Sequence, residues 1–240
     1  MSQPVIAYCG PAPLPAEIWG RWNWDPMLIA ALVLLMLAIA RGRSAAALRA
    51  GSAAIGLMFV IFVSPFCALS SALFSARVLH HVILVSAVAP LLAIAFPAPR
   101  RFLPLAPLVV IHTAILWLWH TPGAYAWGLA TLPAYWLMQV SLLGSAWLMW
   151  RAVLSPASQP GAALMALAAT IGQMGLLGAL IVFAPRPLYA VHFDSTWPWG
   201  LSPLMDQQLA GLLMWVPAML PYLGAGLWLA WTNLRPAQAR

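Results

Sequence analysis

The sequence predicts an all-α protein: a polytopic membrane helix bundle of seven transmembrane helices, with the N-terminus outside and the C-terminus in the cytoplasm. Hydrophobic residues make up 64% of the 240 residues and charged residues only 6%, whereas an ordinary globular domain carries about 25% charged residues. Apolar runs of bilayer length recur, and the basic residues alternate between the two predicted sides. A water-soluble surface cannot be built from this composition.

Seven apolar runs are bounded by arginines, proline clusters or polar turns, and a bilayer core takes about 20 residues per helix. They extend over residues 27–40, 48–66, 79–96, 102–119, 134–153, 162–183 and 204–231. We therefore predict an extracytoplasmic N-terminal tail over residues 1–25, a transmembrane domain over 26–231 and a cytoplasmic C-terminal tail over 232–240. The first residues lack the basic start and short apolar stretch of a signal peptide, so no cleavage is expected.

The orientation follows from the arginines. Eight lie on one side of the seven-helix topology, namely Arg41, Arg43, Arg49, Arg100, Arg101, Arg151, Arg235 and Arg240. Three lie on the other, namely Arg21, Arg77 and Arg186, and the richer side is cytoplasmic by the positive-inside rule. All four acidic residues fall on the outer side without having been used for the assignment: Glu17, Asp25, Asp194 and Asp206. The positive charge thus indicates membrane orientation, and no nucleic-acid partner is expected.

The five histidines are the clearest candidates for chemistry. Four lie near the predicted outer surface and one within the fourth helix: His80, His81, His120 and His192, with His112 inside. Ionisable groups in a membrane are costly and tend to mark sites or pathways, although histidines also satisfy helix ends and bind headgroups. Neighbouring residues on a helix point about 100° apart, so at most one of the His80–His81 pair is expected to face inward. His112 and His120 are about 12 Å apart along their helix, so any metal site must form between helices.

Soft ligands accompany these histidines. Thioether or thiolate sulfur with imidazole selects monovalent copper, and the seventh helix offers Met205, Met214 and Met219, which are equally suited to core packing. The two cysteines, Cys9 and Cys67, both lie on the predicted outer side. They are compatible with copper ligands, with inert thiols or with one disulfide in an oxidising compartment.

Polar and helix-breaking residues complete the pattern. Asp206 opens the seventh helix, where a carboxylate caps exposed N–H groups; alternatively, Asp206 or Gln207 accepts the N–H of a metal-bound histidine. Prolines predict kinks in the third and seventh helices at Pro90, Pro217 and Pro221, and the sixth helix has glycines suited to close packing at Gly172, Gly175 and Gly178. No nucleophile–base arrangement, paired carboxylates or cofactor fingerprint stands out, so enzymatic catalysis is not expected.

Four segments resemble the CtaG family of membrane proteins, which assemble caa-type cytochrome c oxidase and differ from single-span copper chaperones. They are FSARVLHHVILVSAVAPLLAIAFP at 74–97, WLWHTPGAYAWGL at 117–129, FAPRPLYAVH at 183–192 and WGLSPLMDQQLAGLLMWVPAMLPYL at 199–223. The resemblance implies a role in maturing the oxidase, with copper delivered or inserted for its binuclear haem–copper centre. The positions that match the family are His81, His120, Asp206, Gln207 and Met214.

The chain departs from the family pattern at four positions. The family commonly has His at the position of Arg77, Gln at that of His80, a further His near Gln139 and Glu at that of Met205. If those histidines are ligands, the site in this chain must be rebuilt from His80, His112 or His192.

The leading hypothesis is a multi-pass assembly factor of the bacterial plasma membrane, a metallochaperone of the respiratory chain that binds monovalent copper at the outer face. The expected donors are His80, His81, His112, His120, His192 and Met214, positioned by Asp206 and Gln207. Its expected partners are the oxidase subunit that carries the haem–copper centre, membrane lipid and a periplasmic copper donor. The alternatives are a b-type haem held by His81 with His112 or His120, a metal-free scaffold for the oxidase subunit, and a copper permease.

Overall fold

The computed structural model describes residues 5, 6, 8–41, 44–98 and 104–234, and helices account for most of them. Near the start of the chain, strand β1 (Val5–Ile6) pairs with strand β2 (Gly10–Pro11) in a two-stranded antiparallel ribbon. Ten α-helices follow in the described chain: α1 Pro26–Ala40, α2 Ala45–Phe62, α3 Phe66–Ala72, α4 Phe74–Ile83, α5 Ala89–Ala95, α6 Leu105–His120, α7 Pro122–Ala130, α8 Leu132–Val153, α9 Pro160–Val182 and α10 Pro203–Leu234. A π-helical turn, Leu84–Val88, joins α4 to α5.

Local sequence explains several helix starts. The Asp25 carboxylate accepts from Met27 N at 2.9 Å, and Pro26 supplies a first residue whose missing N–H costs nothing there. Ser44 begins α2 and Thr131 begins α8 in the same way, each accepting from the backbone N–H three residues on. These caps satisfy donors that have no partner within the first helical turn.

Within the described residues, four helices are long and apolar enough to cross a membrane: Ala45–Phe62, Phe74–Ala95, Pro160–Val182 and Pro203–Asn233. A fifth crossing is formed if α6 and α7, which meet at 79°, are one broken span, and α1 is a shorter apolar helix. The protein is therefore an all-α, multi-pass membrane protein. Each of the seven predicted apolar runs overlaps a helix.

The predicted start of the third helix at Leu79 is wrong, because this helix begins at Phe74. Arg77, which the prediction placed in an outer connection, consequently lies inside the helix and is completely buried. Arg43, the pair Arg100 and Arg101, Arg235 and Arg240 lie outside the described residues, as does the predicted start of the fourth helix at Phe102.

The run Phe74–Ala95 is the centre of the bundle. In its most apolar stretch of 18 residues, 67% of the residues are buried, compared with 17–39% in the corresponding stretches of the three other long helices. Helix α10 packs against α9 and α4, while α8 packs against α5 and α6. A π-helical turn lies just before Pro90, where a kink is predicted, and in this turn Val85 O accepts from Trp150 Nε1 at 3.1 Å. Helix α10 continues through Pro217 and Pro221 without ending.

The N-terminal segment and the connections after α2, α3 and α9 meet at one end of the bundle, which we call the loop-rich end. Asn23 N donates to Val63 O at 2.8 Å, Ser195 Oγ donates to Ala72 O at 2.6 Å, and Trp199 Nε1 donates to Pro13 O at 3.2 Å. Three of the four acidic residues, Glu17, Asp25 and Asp194, belong to these segments, and Asp206 lies in the first turn of α10, which follows the connection after α9. At the opposite end, Arg151 donates to Pro97 O at 3.0 Å.

Candidate functional site

Helix α4 brings three ionisable side chains into the centre of the loop-rich end. Arg77, His80 and His81 are 0%, 0% and 1% exposed. The expectation that only one of His80 and His81 faces inward is wrong, because α4 is surrounded by other helices and both faces are covered. His80 packs edge-on against Phe62, with ring centroids 4.7 Å apart, whereas His81 faces the end of α6.

His81 and His120 form a close pair of imidazoles. Their ring centroids are 5.6 Å apart and their planes are nearly perpendicular. The His120 Nδ1 atom lies 2.7 Å from Leu116 O. Because a carbonyl only accepts, Nδ1 carries the hydrogen and Nε2 carries the free lone pair. That Nε2 atom is buried and has no hydrogen-bond partner among the described residues.

His80 and Gln139 complete what we call the histidine cluster, composed of His80, His81, His120 and Gln139. The His80 ring centroid is 5.8 Å from that of His81, and neither His80 nitrogen has a partner in the described chain. Gln139 Nε2 lies 3.4 Å from His81 Nε2, and its Oε1 is also unpartnered there. Unsatisfied buried polar atoms are uncommon in native proteins, so their concentration here is characteristic of a site.

The structure does not bring all the predicted metal donors together. His112 Nδ1 lies 3.0 Å from Ser145 Oγ, within the contact of α6 with α8. His192, in the connection after α9, places Nε2 at 2.7 Å from the Tyr125 hydroxyl. Met214 is buried in the hydrophobic core on α10. The cluster therefore unites His80, His81 and His120 from the predicted set.

Asp206 and Gln207 hold backbone groups. Asp206 accepts from Phe74 N at 2.7 Å, from Ser75 N at 3.2 Å and from the Ser75 hydroxyl. It thereby caps α4, whose own N-cap position, Leu73, has no side chain able to do so. Gln207 accepts from Leu188 N at 2.6 Å and donates to Ile181 O at 3.2 Å, which ties the end of α9 to α10.

Arg77 is a buried cation without a carboxylate partner in the part of the chain that the structure describes. Its Nη1 atom donates to the Tyr135 hydroxyl at 3.2 Å, and Nη2 lies 3.6 Å from Cys9 Sγ. Its Nε atom has no partner there. Sequence reasoning counted Arg77 as a surface charge; the available signal was its spacing of three and four residues from His80 and His81, which places all three close together on one helix.

A disulfide joins Cys9 to Cys67, with Cα atoms 5.4 Å apart. The sequence left open whether the two cysteines are copper ligands, inert thiols or a disulfide, and in the structure they form the disulfide. Cys9 belongs to the N-terminal segment, where the neighbouring Tyr8 ring stacks on Tyr135 at 4.8 Å. Together these contacts fasten the segment across the loop-rich end, beside Arg77.

Comparison with known families identifies the chain. Residues 29–235 match the family model of the cytochrome c oxidase caa3 assembly factor, Caa3_CtaG. The chain belongs to this family. The match confirms the resemblance to CtaG proteins, and it gives the chain a role in cytochrome c oxidase assembly, with the oxidase as its partner. No curated protein and no solved structure shows a significant match to the chain.

In this CtaG-family protein few side chains of the cluster could hold a metal ion. Among the described residues, no group of three or more His, Cys, Asp and Glu side chains is placed to hold a metal ion. The cluster instead offers the close His81–His120 pair, with one lone pair already directed away from the protein backbone by the Leu116 contact. Two imidazoles alone would make an incomplete metal site, and a further ligand would have to come from rearrangement or from a partner molecule.

The assembly factor also has a histidine that is kept neutral outside the membrane-spanning helices. Burial, followed by the positive charge of Arg77, lowers the pKa of His192 to about 3. Its hydrogen bond to Tyr125 joins the connection after α9 to α7. This contact is therefore made by neutral imidazole at physiological pH.

Acidification is expected to loosen the connection that carries His192. An opened connection takes up a proton near the ordinary histidine pKa of about 6.5, while the closed form does not, because its pKa is about 3. The free energy that the neutral His192 contributes to the closed connection is fully present above pH 6.5. It falls by about 1.4 kcal/mol per pH unit as the pH drops below that value. Hydrogen exchange over residues 185–203 should report roughly tenfold more opening at pH 5.5 than at pH 7.5. His192→Gln should abolish this dependence; equal opening of the unsubstituted protein at both pH values would contradict the assignment.

Proposed function

We propose that this assembly factor binds monovalent copper as cargo through His81 and His120 and passes it to the oxidase subunit that carries the haem–copper centre. The observation that carries the proposal is the buried pair of imidazoles at 5.6 Å with an unpartnered His120 Nε2. Two imidazoles on one ion, at about 2.0 Å per metal–nitrogen bond, need nitrogens at most about 4 Å apart. Rings separated by 5.6 Å meet this requirement when their nitrogens face each other.

A sparse site suits transfer of the ion. Few bonds have to be broken when the cargo leaves, and the reaction is ligand exchange without covalent change in the protein. His80, 5.8 Å from His81, is the nearest source of a third nitrogen. The fixed charge of Arg77 on the same helix opposes tight retention of a cation, since like charges in a low-dielectric interior repel strongly. The remaining donors of the predicted set, His112, His192 and Met214, then serve packing and hydrogen bonding.

The proposed topology has seven crossings, with the loop-rich end outside the bacterial plasma membrane. Helix α8 has 22 residues and α1 has 15, or about 33 Å and 22 Å at 1.5 Å per residue. The first matches a hydrocarbon core of about 30 Å, and the second crosses where the bilayer thins or flanking residues extend to the interface. The Cys9–Cys67 disulfide supports an outer position for the N-terminal segment, because disulfides persist in oxidising compartments.

This topology places the histidine cluster near the outer face. Copper would then arrive from a periplasmic donor and leave to the oxidase subunit without crossing the cytoplasm. The apolar side chains on the outside of α9 and α10, such as Met165, Leu180 and Leu227, would contact lipid or the client subunit.

The test is the monovalent copper content and affinity of the purified protein, measured against a competing chelator. We expect the unsubstituted protein to bind about one copper ion and a His81→Ala/His120→Ala variant to lose at least about tenfold in affinity, because loss of the outer-shell partners of metal ligands alone typically costs about 10–100-fold. His112→Ala is the matched control, since it removes a buried histidine from α6 outside the cluster.

The alternatives give different results in the same experiment. Absence of copper binding in every variant, with oxidase assembly retained in cells, would favour a metal-free scaffold. A Soret band in the purified protein would indicate b-type haem. Passage of copper into vesicles containing this protein alone would indicate a permease.

A further inference from the structure

No carboxylate among the described residues compensates the charge of Arg77 in the oxidised protein. A guanidinium stays charged in proteins, and Arg77 is 0% exposed. Its described partners are the neutral Tyr135 hydroxyl and the Cys9 sulfur. A buried charge without a counter-charge is strongly unfavourable, and burial of ionisable side chains in membrane proteins generally accompanies function.

The sulfur beside Arg77 can become that counter-charge. Cys9 Sγ lies 3.6 Å from Arg77 Nη2 and 3.7 Å from the Tyr135 hydroxyl. Within the disulfide this sulfur is neutral. Once the bond is reduced, a Cys9 thiolate would accept from both groups, and a neighbouring arginine favours the thiolate form of cysteine. The protein therefore gains an ion pair on reduction.

The disulfide is also accessible from outside. A cavity of about 220 Å³ reaches Cys9 between the N-terminal segment and the start of α3, and its lining includes Tyr8, Arg21, Asn23 and Ala68. Cys67 is 0% exposed. An attacking thiol can therefore approach Cys9 and not Cys67.

We propose that Cys9–Cys67 is a redox-active disulfide that exchanges with an external dithiol, and that its reduced form contains a Cys9 thiolate paired with Arg77. A thiolate of the dithiol attacks Cys9 Sγ, the Cys9–Cys67 bond breaks, and Cys67 leaves with the electron pair and takes up a proton. The second thiol of the dithiol then loses its proton and attacks the first sulfur of the same dithiol, which is bonded to Cys9 in the mixed disulfide. This step releases Cys9 as a thiolate. The dithiol is oxidised to a disulfide and the two cysteines are reduced. This exchange does not depend on copper binding.

The other titratable groups around Cys9 do not compete for this role. The Tyr8 hydroxyl donates to Asp25 at 2.9 Å, so the carboxylate is already engaged, and burial raises the pKa of Tyr8 above its ordinary value, which keeps it neutral. Arg21 donates to Pro11 O at 3.0 Å on the cavity wall. It adds a second positive charge on the approach, which favours an anionic thiolate.

The equilibrium test uses the full-length protein in dithiothreitol redox buffers, with reduced cysteines counted by a maleimide mass tag. We expect Arg77→Gln to need roughly tenfold more reducing conditions for its reduction than the unsubstituted protein does. This corresponds to a reduction potential about 30 mV more negative. Arg77→Lys should restore most of the difference because it keeps the charge. Arg151→Gln, at the opposite end of the bundle, should behave like the unsubstituted protein. Equal or easier reduction of Arg77→Gln would overturn the proposal.

A second measurement uses the unsubstituted protein alone, and so does not depend on the stability of any Arg77 variant. After reduction, alkylation by iodoacetamide is followed separately at Cys9 and Cys67 between pH 5.5 and 9. For each thiol, the alkylation rate at pH 6.5 is divided by the plateau rate at high pH, which measures the thiolate fraction because the thiolate is the nucleophile. This ratio should be at least about tenfold higher for Cys9 than for glutathione. A Cys9 profile that coincides with that of glutathione would overturn the proposal.

Discussion

Replacing Asp206 with Ala is expected to destabilise the protein by about 2 kcal/mol or more. The substitution leaves the buried N–H groups of Phe74 and Ser75 without an acceptor, and each buried unsatisfied donor costs about 1–3 kcal/mol. Because α4 carries both His80 and His81, its displacement should also lower oxidase assembly and the copper binding proposed above. The measurement is reversible unfolding in mixed micelles, alongside oxidase assembly in cells.

Two further variants make this prediction specific. Asp206→Asn keeps one oxygen acceptor and should lose less stability than Asp206→Ala. Asp194→Ala removes an exposed carboxylate in the connection before α10 and should change stability by less than about 0.5 kcal/mol. Equal stability of Asp206→Ala and Asp194→Ala would show that the cap is not important for holding α4.

Replacing Gly211 with Leu is expected to separate α9 from α10 and to cost about 3 kcal/mol or more. A Cβ atom at Gly211 would lie 2.6 Å from Gly178 O and 2.9 Å from Val182 N. Both are backbone atoms, which cannot rotate away as a side chain can, and overpacking of ordinary cores already costs about 1–3 kcal/mol. Because α10 also packs on α4, the displacement should reach Asp206 and the histidine cluster. Unfolding in mixed micelles reports the stability loss.

The matched control is Gly172→Leu. An added Cβ there meets nothing within 4 Å, and leucine favours a helix over glycine by roughly 0.8 kcal/mol. This variant should be as stable as the unsubstituted protein or slightly more stable. Similar losses for Gly211→Leu and Gly172→Leu would contradict the close approach of the two helices.

The glycines also illustrate how far sequence reasoning reaches. Gly172, Gly175 and Gly178 were all predicted to allow close helix contact, because small residues recur at helical spacing. The structure has Gly178 against the backbone of α10 and Gly172 in open space, and a Cβ atom added at Gly175 would lie 3.6 Å from the Trp215 ring. The partner Gly211 was missed, since sequence spacing on one helix says nothing about the rotation of its neighbour.

The histidines show the same limit. Their concentration near one end of the bundle was predictable, because they lie at or near the ends of apolar runs. Their partners were not, because His120 meets His81 across a contact between α6 and α4, and His192 meets Tyr125 rather than the cluster. Asp206 was expected to cap the helix that it begins, but it caps α4 instead. Its partner there, Phe74, lies 132 residues away in the chain.

The sequence by itself determined the class of the protein, its apolar helical segments and its membership of the CtaG family, since composition, run length and motif are local properties of the chain. The tertiary structure alone decided which polar groups became buried neighbours: Arg77 beside the Cys9–Cys67 disulfide, His81 beside His120, and Asp206 at the start of α4. The physical reason is that each of these contacts joins segments far apart in sequence. Their relative rotation and depth are set by the packing of the whole bundle.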